Sequence, residues 1–356
     1  MLLLAFGHMV VDATSIFAAT RIATPATIGY DRAVGVILAY GLLAFAVQPL
    51  IGWAIDRWRI PTIAAAIGGL MAAAAALLCE TAPMPALWLA GLGNALFHVG
   101  AGSICLQLAR GTSAMPGVFV APGDIGVILG TYTGRGDWGG IQFIIAACVL
   151  SGFLVATIRC HTHVSPARRV PDTGPMRLGV ALALLFLAVA VRSCVGGVVT
   201  APWLDAPAVW IGIAAAATLA KVAGVIADRV GWIAFAVPCV LLAAPLTIHA
   251  STPASAMAAM FLVQCAMPVT LAGMARVLPD RPALTFGLAS MAIAFGAVPA
   301  QISGAANFSH TLLLTTQFGC AAAIFAALLL LRPRIRPSVL SDGRGAHAPS
   351  GSHHWS

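Results

Sequence analysis

The chain has 356 residues, of which 60% are hydrophobic and 8% charged, and a formal net charge of +8. Soluble proteins carry about 25% charged residues, so this composition excludes a water-soluble enzyme or binding module. The positive balance does not indicate nucleic acid either, because nearly all of it sits beside apolar runs instead of on one folded basic face.

A membrane-crossing helix needs about 20 apolar residues. Apolar runs bounded by Pro, Gly or charge fall near 2–20, 33–53, 61–79, 86–109, 114–133, 139–158, 178–200, 207–226, 232–249, 254–275, 283–305 and 309–331. The expected fold is all-α and integral to the membrane, with twelve transmembrane helices in two six-helix halves. These are an N-terminal half over 1–158, a cytoplasmic linker over 159–177 and a C-terminal half over 178–331, followed by a disordered tail over 332–356. The linker is the most polar connection, with Arg159, His161, His163, Pro166, Pro171 and Arg177; the tail is basic, rich in Gly, Ser and Pro, and has nothing to bury.

Span one opens directly from Met1-Leu2-Leu3-Leu4 with no basic leader or small-residue cleavage site, so it is expected to be a span and not a signal peptide. It carries His8 and Asp12, an i,i+4 pair on one helix face. Ionisable groups at that depth are costly and must face a cavity or a partner. The pair is a candidate site for taking up and releasing a proton, the alternative being a structural tie to a neighbouring helix. Span four repeats the spacing with Asn94 and His98, candidate substrate contacts, although an intramembrane His often only satisfies a backbone carbonyl. In span five, Pro122-Gly123-Asp124-Ile125-Gly126 combines glycines suited to close helix packing with a carboxylate that packing does not explain; Asp124 is a second candidate proton site.

Span seven holds Arg192, which stays charged and whose planar fork suits a carboxylate or phosphonate; the alternative is an internal salt bridge with Asp12 or Asp124. In span eight Lys221, the only lysine, lies one turn before Gly224 and is expected to snorkel to the cytoplasm. Gln264 in span ten lies 166 residues after His98, its counterpart position, and is a candidate neutral substrate contact. The eight cysteines form no C-x-x-C pair and read as small buried hydrophobes, and His161-x-His163 lacks a third ligand, so neither a metal nor another cofactor is expected.

With both termini cytoplasmic, arginines 57, 59, 110, 159, 168, 169, 177, 229, 276, 281, 332, 334, 336 and 344 fall inside and only Arg21, Arg32 and Arg135 outside, the bias of a positive-inside topology. Trp88, Trp138 and Trp203 fall at the expected outer boundary. An internal repeat supports two halves. Gly52-Trp-Ala-Ile-Asp56-Arg57 closes span two, Gly224-Val-Ile-Ala-Asp228-Arg229 closes span eight 172 residues later, and Ala109-Arg110 and Ala275-Arg276 end spans four and ten. At such helix ends an aspartate can cap an adjacent helix N-terminus and an arginine can pair across the halves.

Gly-x-x-x-Asp-Arg after spans two and eight resembles the signature loop of the major facilitator superfamily. Within it, the chain resembles the fosmidomycin-resistance type of exporter over roughly residues 5 to 330. The resemblance is carried by Gly7-His8 and Asp12, by Tyr40 with Gln48-Pro49-x-x-Gly52-x-x-x-Asp56-Arg57, by Ala95-Leu96-Phe97-His98, by Gly123-x-x-Gly126-x-x-x-Gly130, and by Arg192-Ser193. It implies alternating access around a cavity between spans one, four, seven and ten, with Tyr40 among the substrate contacts. It also implies that Gly52, Asp56, Arg57, Gly224, Asp228 and Arg229 gate the inward-closed state. The sequence departs from the pattern at Trp58-Arg59-Ile60-Pro61 after the first signature, at Val99 after His98, and at Asp124 and Thr131 in span five. These positions lie near the expected pathway, so the family's drug substrate is not carried over.

The function expected on these grounds is a proton-coupled exporter of a small anionic or zwitterionic organic molecule, acting as a monomer in the inner membrane, with protons and the bilayer as its other partners. The same residues serve a symporter or uniporter that takes up an organic anion. A membrane-embedded enzyme would need clustered acidic metal ligands, a Ser/His or Ser/Lys dyad or an H-E-x-x-H motif, none of which the eleven scattered acidic residues or the remaining sequence supply. A non-transporting sensor would bind its ligand without exchanging it.

Overall fold

The computed structural model describes residues 1–23, 29–136, 140–157, 174–303 and 308–332. Among them, ten helices are long and apolar enough to cross a membrane, and two shorter apolar helices occupy Ile144–Ala156 and Trp232–Ile248. The protein is a multi-pass, all-helical membrane protein. Nearly all of the expected linker and tail, Trp138, and Arg159, Arg168, Arg169, Arg334, Arg336 and Arg344 lie outside the described residues.

In chain order the helices are α1 (Leu2–Ala23), α2 (Tyr30–Gly41), α3 (Gln48–Trp58), α4 (Pro61–Leu78), α5 (Pro83–Ala109), α6 (Ala114–Val120), α7 (Gly123–Arg135) and α8 (Ile141–Ala156). They continue as α9 (Pro175–Thr200), α10 (Pro207–Val222), α11 (Gly224–Val230), α12 (Trp232–Ile248), α13 (Pro253–Cys265), α14 (Met267–Val277), α15 (Pro282–Ser303) and α16 (His310–Leu330). Proline at the first or second position opens eight of these helices, α3, α4, α5, α9, α10, α13, α14 and α15, where its missing N–H costs nothing.

Four of the runs read as single spans are interrupted. Span two passes from α2 into α3 through a π-helical turn at Leu42–Ala46 just before Pro49; span five breaks between α6 and α7 at Pro122; span eight breaks at Ala223–Gly224; span ten breaks at Ala266, before Pro268. A proline removes one i→i−4 bond and crowds the preceding turn, which frees carbonyls for other donors. The helices also run past the expected ends. The Asp56-Arg57 pair lies inside α3, which stops where Arg59 takes the left-handed conformation at φ 57, and Asp228-Arg229 lies inside α11, stopped by Gly231 at φ 98. Basic side chains in a last turn complement the helix dipole, which is why charge does not end these helices as it ends the apolar runs.

Helices α1 to α8 pack chiefly on one another, as do α9 to α16, and the two groups meet where α15 lies against α3 and α5, and α6 and α7 against α10 and α11. The crossing of α1 with α7 is a close approach that bears on function. A Cβ on Gly126 would lie 2.2 Å from the carbonyl oxygen of Met9, and one on Gly130 would lie 2.4 Å from that of Ala13. The glycine spacing of the fifth span lets α7 press its backbone onto α1 and fixes the face on which His8 and Asp12 point.

Candidate functional site

Between the two helix groups lies a cavity of about 230 Å³. Its walls carry His8 and Asp12 from α1, Tyr40 from α2, His98 from α5, Asp124 from α7, Arg192 from α9, Lys221 from α10 and Gln264 from α13. Phe45 and Phe286 supply aromatic surface. Eight of the residues singled out from the sequence therefore face one space.

On one side, Asp12 is the centre of a buried cluster. Nε2 of His8 lies 3.2 Å from its Oδ2 and Nε2 of His98 lies 3.4 Å from its Oδ1, while Nδ2 of Asn94 donates to Oδ1 at 2.8 Å. Outside the cluster, Nδ1 of His8 lies 2.9 Å from the carbonyl of Phe119, one of the carbonyls in the last turn of α6 that the break at Pro122 leaves without a helical donor. Nδ1 of His98 bonds the carbonyl of Asn94 at 2.8 Å. Asn94, expected as a substrate contact, is fully buried behind Asp12 and does not line the cavity; its side chain holds the carboxylate.

On the other side, Lys221 corrects its expected position. It does not snorkel to the surface: it is 8% exposed, and its Nζ lies 2.6 Å from both carboxylate oxygens of Asp124. The Gly-rich face of α7 brings that carboxylate within reach, and a partner in the interior outweighs the route to water. The signal that would have found the pair is the isolation of Lys221 as the only lysine of the chain, next to a carboxylate unexplained by packing. Replacing either member alone, Asp124→Asn or Lys221→Met, should lower the thermal unfolding temperature of the purified protein, since one unpaired buried charge costs about 3 kcal/mol. The double variant should regain most of the loss; equal additive losses would show that the pair is not coupled.

Arg192 makes neither of the salt bridges weighed for it. Its guanidinium donates to Oε1 of Gln264, and its buried Nε has no hydrogen-bond partner. Among the described residues no carboxylate pairs with it.

The repeated signatures meet the opposite helix group at one end of the molecule. Asp56 on α3 accepts from the backbone N–H groups of Ala283 and Leu284, at 3.0 and 2.8 Å, in the first turn of α15. Asp228 on α11 accepts from the backbone of Ser113 and Ala114 at the start of α6, from Oγ of Ser113, and from Nε1 of Trp232. Gly52 and Gly224 allow the approach, because a Cβ at either would lie 2.4 and 2.7 Å from the carbonyl oxygens of Ala283 and Ser113 respectively. Arg276 adds a third link, donating to the carbonyl of Gly111 while its guanidinium lies 3.6 Å over the Trp232 ring. The aspartates cap adjacent helices as the sequence suggests. Arg57 and Arg229 do not pair across the groups; both are exposed and neither forms an ion pair among the described residues.

The chain matches no protein-family model and no curated protein. Its fold is that of solved major facilitator superfamily transporters. A variant of the E. coli fucose:proton symporter FucP aligns at TM-score 0.65 and 11% identity over 93% of this chain and 97% of that one. FucP in its outward conformation aligns at TM-score 0.62 and 11% identity over 91% and 97%. The human organic anion transporter MFSD10 (TETRAN) aligns at TM-score 0.63 and 15% identity over 92% and 98%.

Proposed function

We propose that this chain is a secondary active transporter that moves a small organic anion, or a zwitterion bound through its anionic group, by alternating access and in exchange for protons. The observation that carries this reading is the charge balance of the cavity. Asp124 is neutralised by Lys221, and Asp12 lies between two histidines, whereas Arg192 has only an amide oxygen beside it and one buried donor without an acceptor. A desolvated, uncompensated guanidinium facing a cavity is a site for a carboxylate or phosphonate. Tyr40, His98 and Gln264 would complete the contacts.

The helices would form twelve spans in two six-helix halves, 1–158 and 178–331, joined by the cytoplasmic linker 159–177 and followed by the tail 332–356. Both termini would face the cytoplasm of an inner-membrane monomer. Asp12 with His8 would handle the coupled proton. Asp124 would take part as the partner of Lys221: the pair joins α7 to α10, and protonating the carboxylate would release the tie. Gly52, Asp56, Arg57, Gly224, Asp228 and Arg229 would form the inner gate. The resemblance to fosmidomycin-resistance exporters favours export. The fold shared with a proton symporter favours a second reading, uptake of the anion with protons.

Reconstitution in proteoliposomes tests the proposal with radiolabelled short carboxylates and alkylphosphonates. Counterflow of at least one of them is expected, and an imposed pH gradient should drive accumulation whose sign separates antiport from symport. Absence of counterflow across the panel would reject anion transport. If Asp12→Asn and Asp124→Asn each leave pH-driven flux unchanged, the proton assignment is wrong.

A further inference from the structure

The hydrogen bonds around the two cavity histidines leave a proton unaccounted for. Nδ1 of His8 faces the carbonyl oxygen of Phe119 and Nδ1 of His98 faces that of Asn94, at 2.9 and 2.8 Å. A carbonyl can only accept, so both Nδ1 atoms must carry hydrogen. In a neutral imidazole the other nitrogen is then a bare lone pair. Yet the two Nε2 atoms lie 2.6 Å apart, closer than an ordinary N–H···O bond of about 2.9 Å. Two lone pairs would repel at that separation. Protonating Asp12 does not help, because its hydroxyl would satisfy one Nε2 and leave the pair still facing.

We infer that His8 and His98 hold one shared proton between their Nε2 atoms, forming a single imidazolium-imidazole pair whose counter-charge is the Asp12 carboxylate. Three further features fit that assignment. Asp12 sets its two oxygens 3.2 and 3.4 Å from the two Nε2 atoms, one to each ring. Asn94 donates to Asp12, which favours a carboxylate over a carboxylic acid. The His8 ring stacks on Phe119 at 4.9 Å with an interplanar angle of 20°, placing the shared cation over an aromatic face. A metal ion bound by both imidazoles at about 2.05 Å would hold the nitrogens about 3.3 Å apart in tetrahedral geometry, so the observed contact suits a proton and not an ion. The other titratable groups around the cavity are Tyr40, Arg192 and the Asp124–Lys221 pair, none of which is hydrogen-bonded to either histidine.

This deepens the proton-coupled reading above and rests on it for its role in transport: the carried proton sits on the histidine pair, and Asp12 is its counter-ion and not its seat. The pair joins α1 to α5 and reaches α6 through Phe119, so losing the proton restores repulsion between those helices.

The test needs no transport. Full-length protein labelled with ¹⁵N-histidine and purified in lipid nanodiscs should show by NMR, at neutral pH, one protonated Nε2 coupled through a hydrogen bond to a second ring nitrogen. That coupling should vanish in both His8→Gln and His98→Gln. Asp12→Asn keeps the side-chain shape and removes the counter-charge, and it should cut occupancy of the shared site at least about tenfold, the equivalent of about 1.4 kcal/mol of lost interaction. Folding of each variant is checked by thermal unfolding, and His98→Asn serves if His98→Gln does not fold. Two neutral rings, a protonated Asp12 carboxyl in the ¹³C spectrum, or a stoichiometric transition metal by elemental analysis would each overturn the inference. A shared proton together with pH-independent transport would leave it standing and remove the coupling role instead.

Discussion

Replacing Arg192 by methionine should abolish anion binding and transport without lowering the thermal unfolding temperature. Two charge-assisted hydrogen bonds to a carboxylate are worth about 1.5–3 kcal/mol each, so their loss weakens binding by at least about a hundredfold. The stability half of the prediction follows from the surroundings. A buried charge without a counter-ion costs the folded state several kcal/mol, and Arg192 is 5% exposed with only Gln264 and an unpartnered Nε. Removing it removes that cost. Gln264, whose Oε1 then loses its donor, borders the cavity and is not sealed in the core. Arg192→Lys should be intermediate, keeping the charge and losing the bidentate fork. Fluorescence-monitored unfolding and counterflow of the carboxylate or phosphonate panel read the two halves separately. A variant that loses stability and keeps transport would make Arg192 a structural residue and remove the anion site.

What was legible beforehand follows the range of the interactions. The i,i+4 pair of His8 and Asp12 lies on one helix, and helical periodicity alone puts both side chains on one face. The partners that complete the site come from far along the chain: His98 lies 90 residues from His8, and Lys221 lies 97 from Asp124. Those meetings depend on how each helix is rotated about its axis, which an almost uniformly apolar helix does not encode in its polar pattern. The glycine series 123, 126 and 130 signalled a close crossing without naming the helix crossed, and α1 turned out to be that helix. Breaks were likewise half visible. Pro49, Pro122 and Pro268 stand in the sequence, but that the break at Pro122 would hand the carbonyl of Phe119 to His8 belongs to the packing of α6 against α1. The repeated Asp-Arg signature announced its symmetry and its capping role, while its arginines turned outward.

That symmetry has a measurable consequence at the clasped end. Asp56 and Asp228 each lie in one helix group and cap a helix of the other, so any rocking that separates the groups there must break both caps together. Losing a carboxylate cap with several charge-assisted bonds costs about 2 kcal/mol, equivalent to roughly a thirtyfold rise in local opening. Hydrogen-deuterium exchange of Asp228→Ala should therefore show faster exchange at Ser113 and Ala114, whose amides bond that carboxylate. The informative site is the distant one. If the two caps belong to a single two-state element, Asp228→Ala also accelerates exchange at Ala283 and Leu284, and Asp56→Ala does the same in reverse at Ser113 and Ala114. Acceleration confined to the amides that lost their acceptor would mean that each cap frays alone, and a rigid rocking of the two helix groups about the cavity would then have no support at this end.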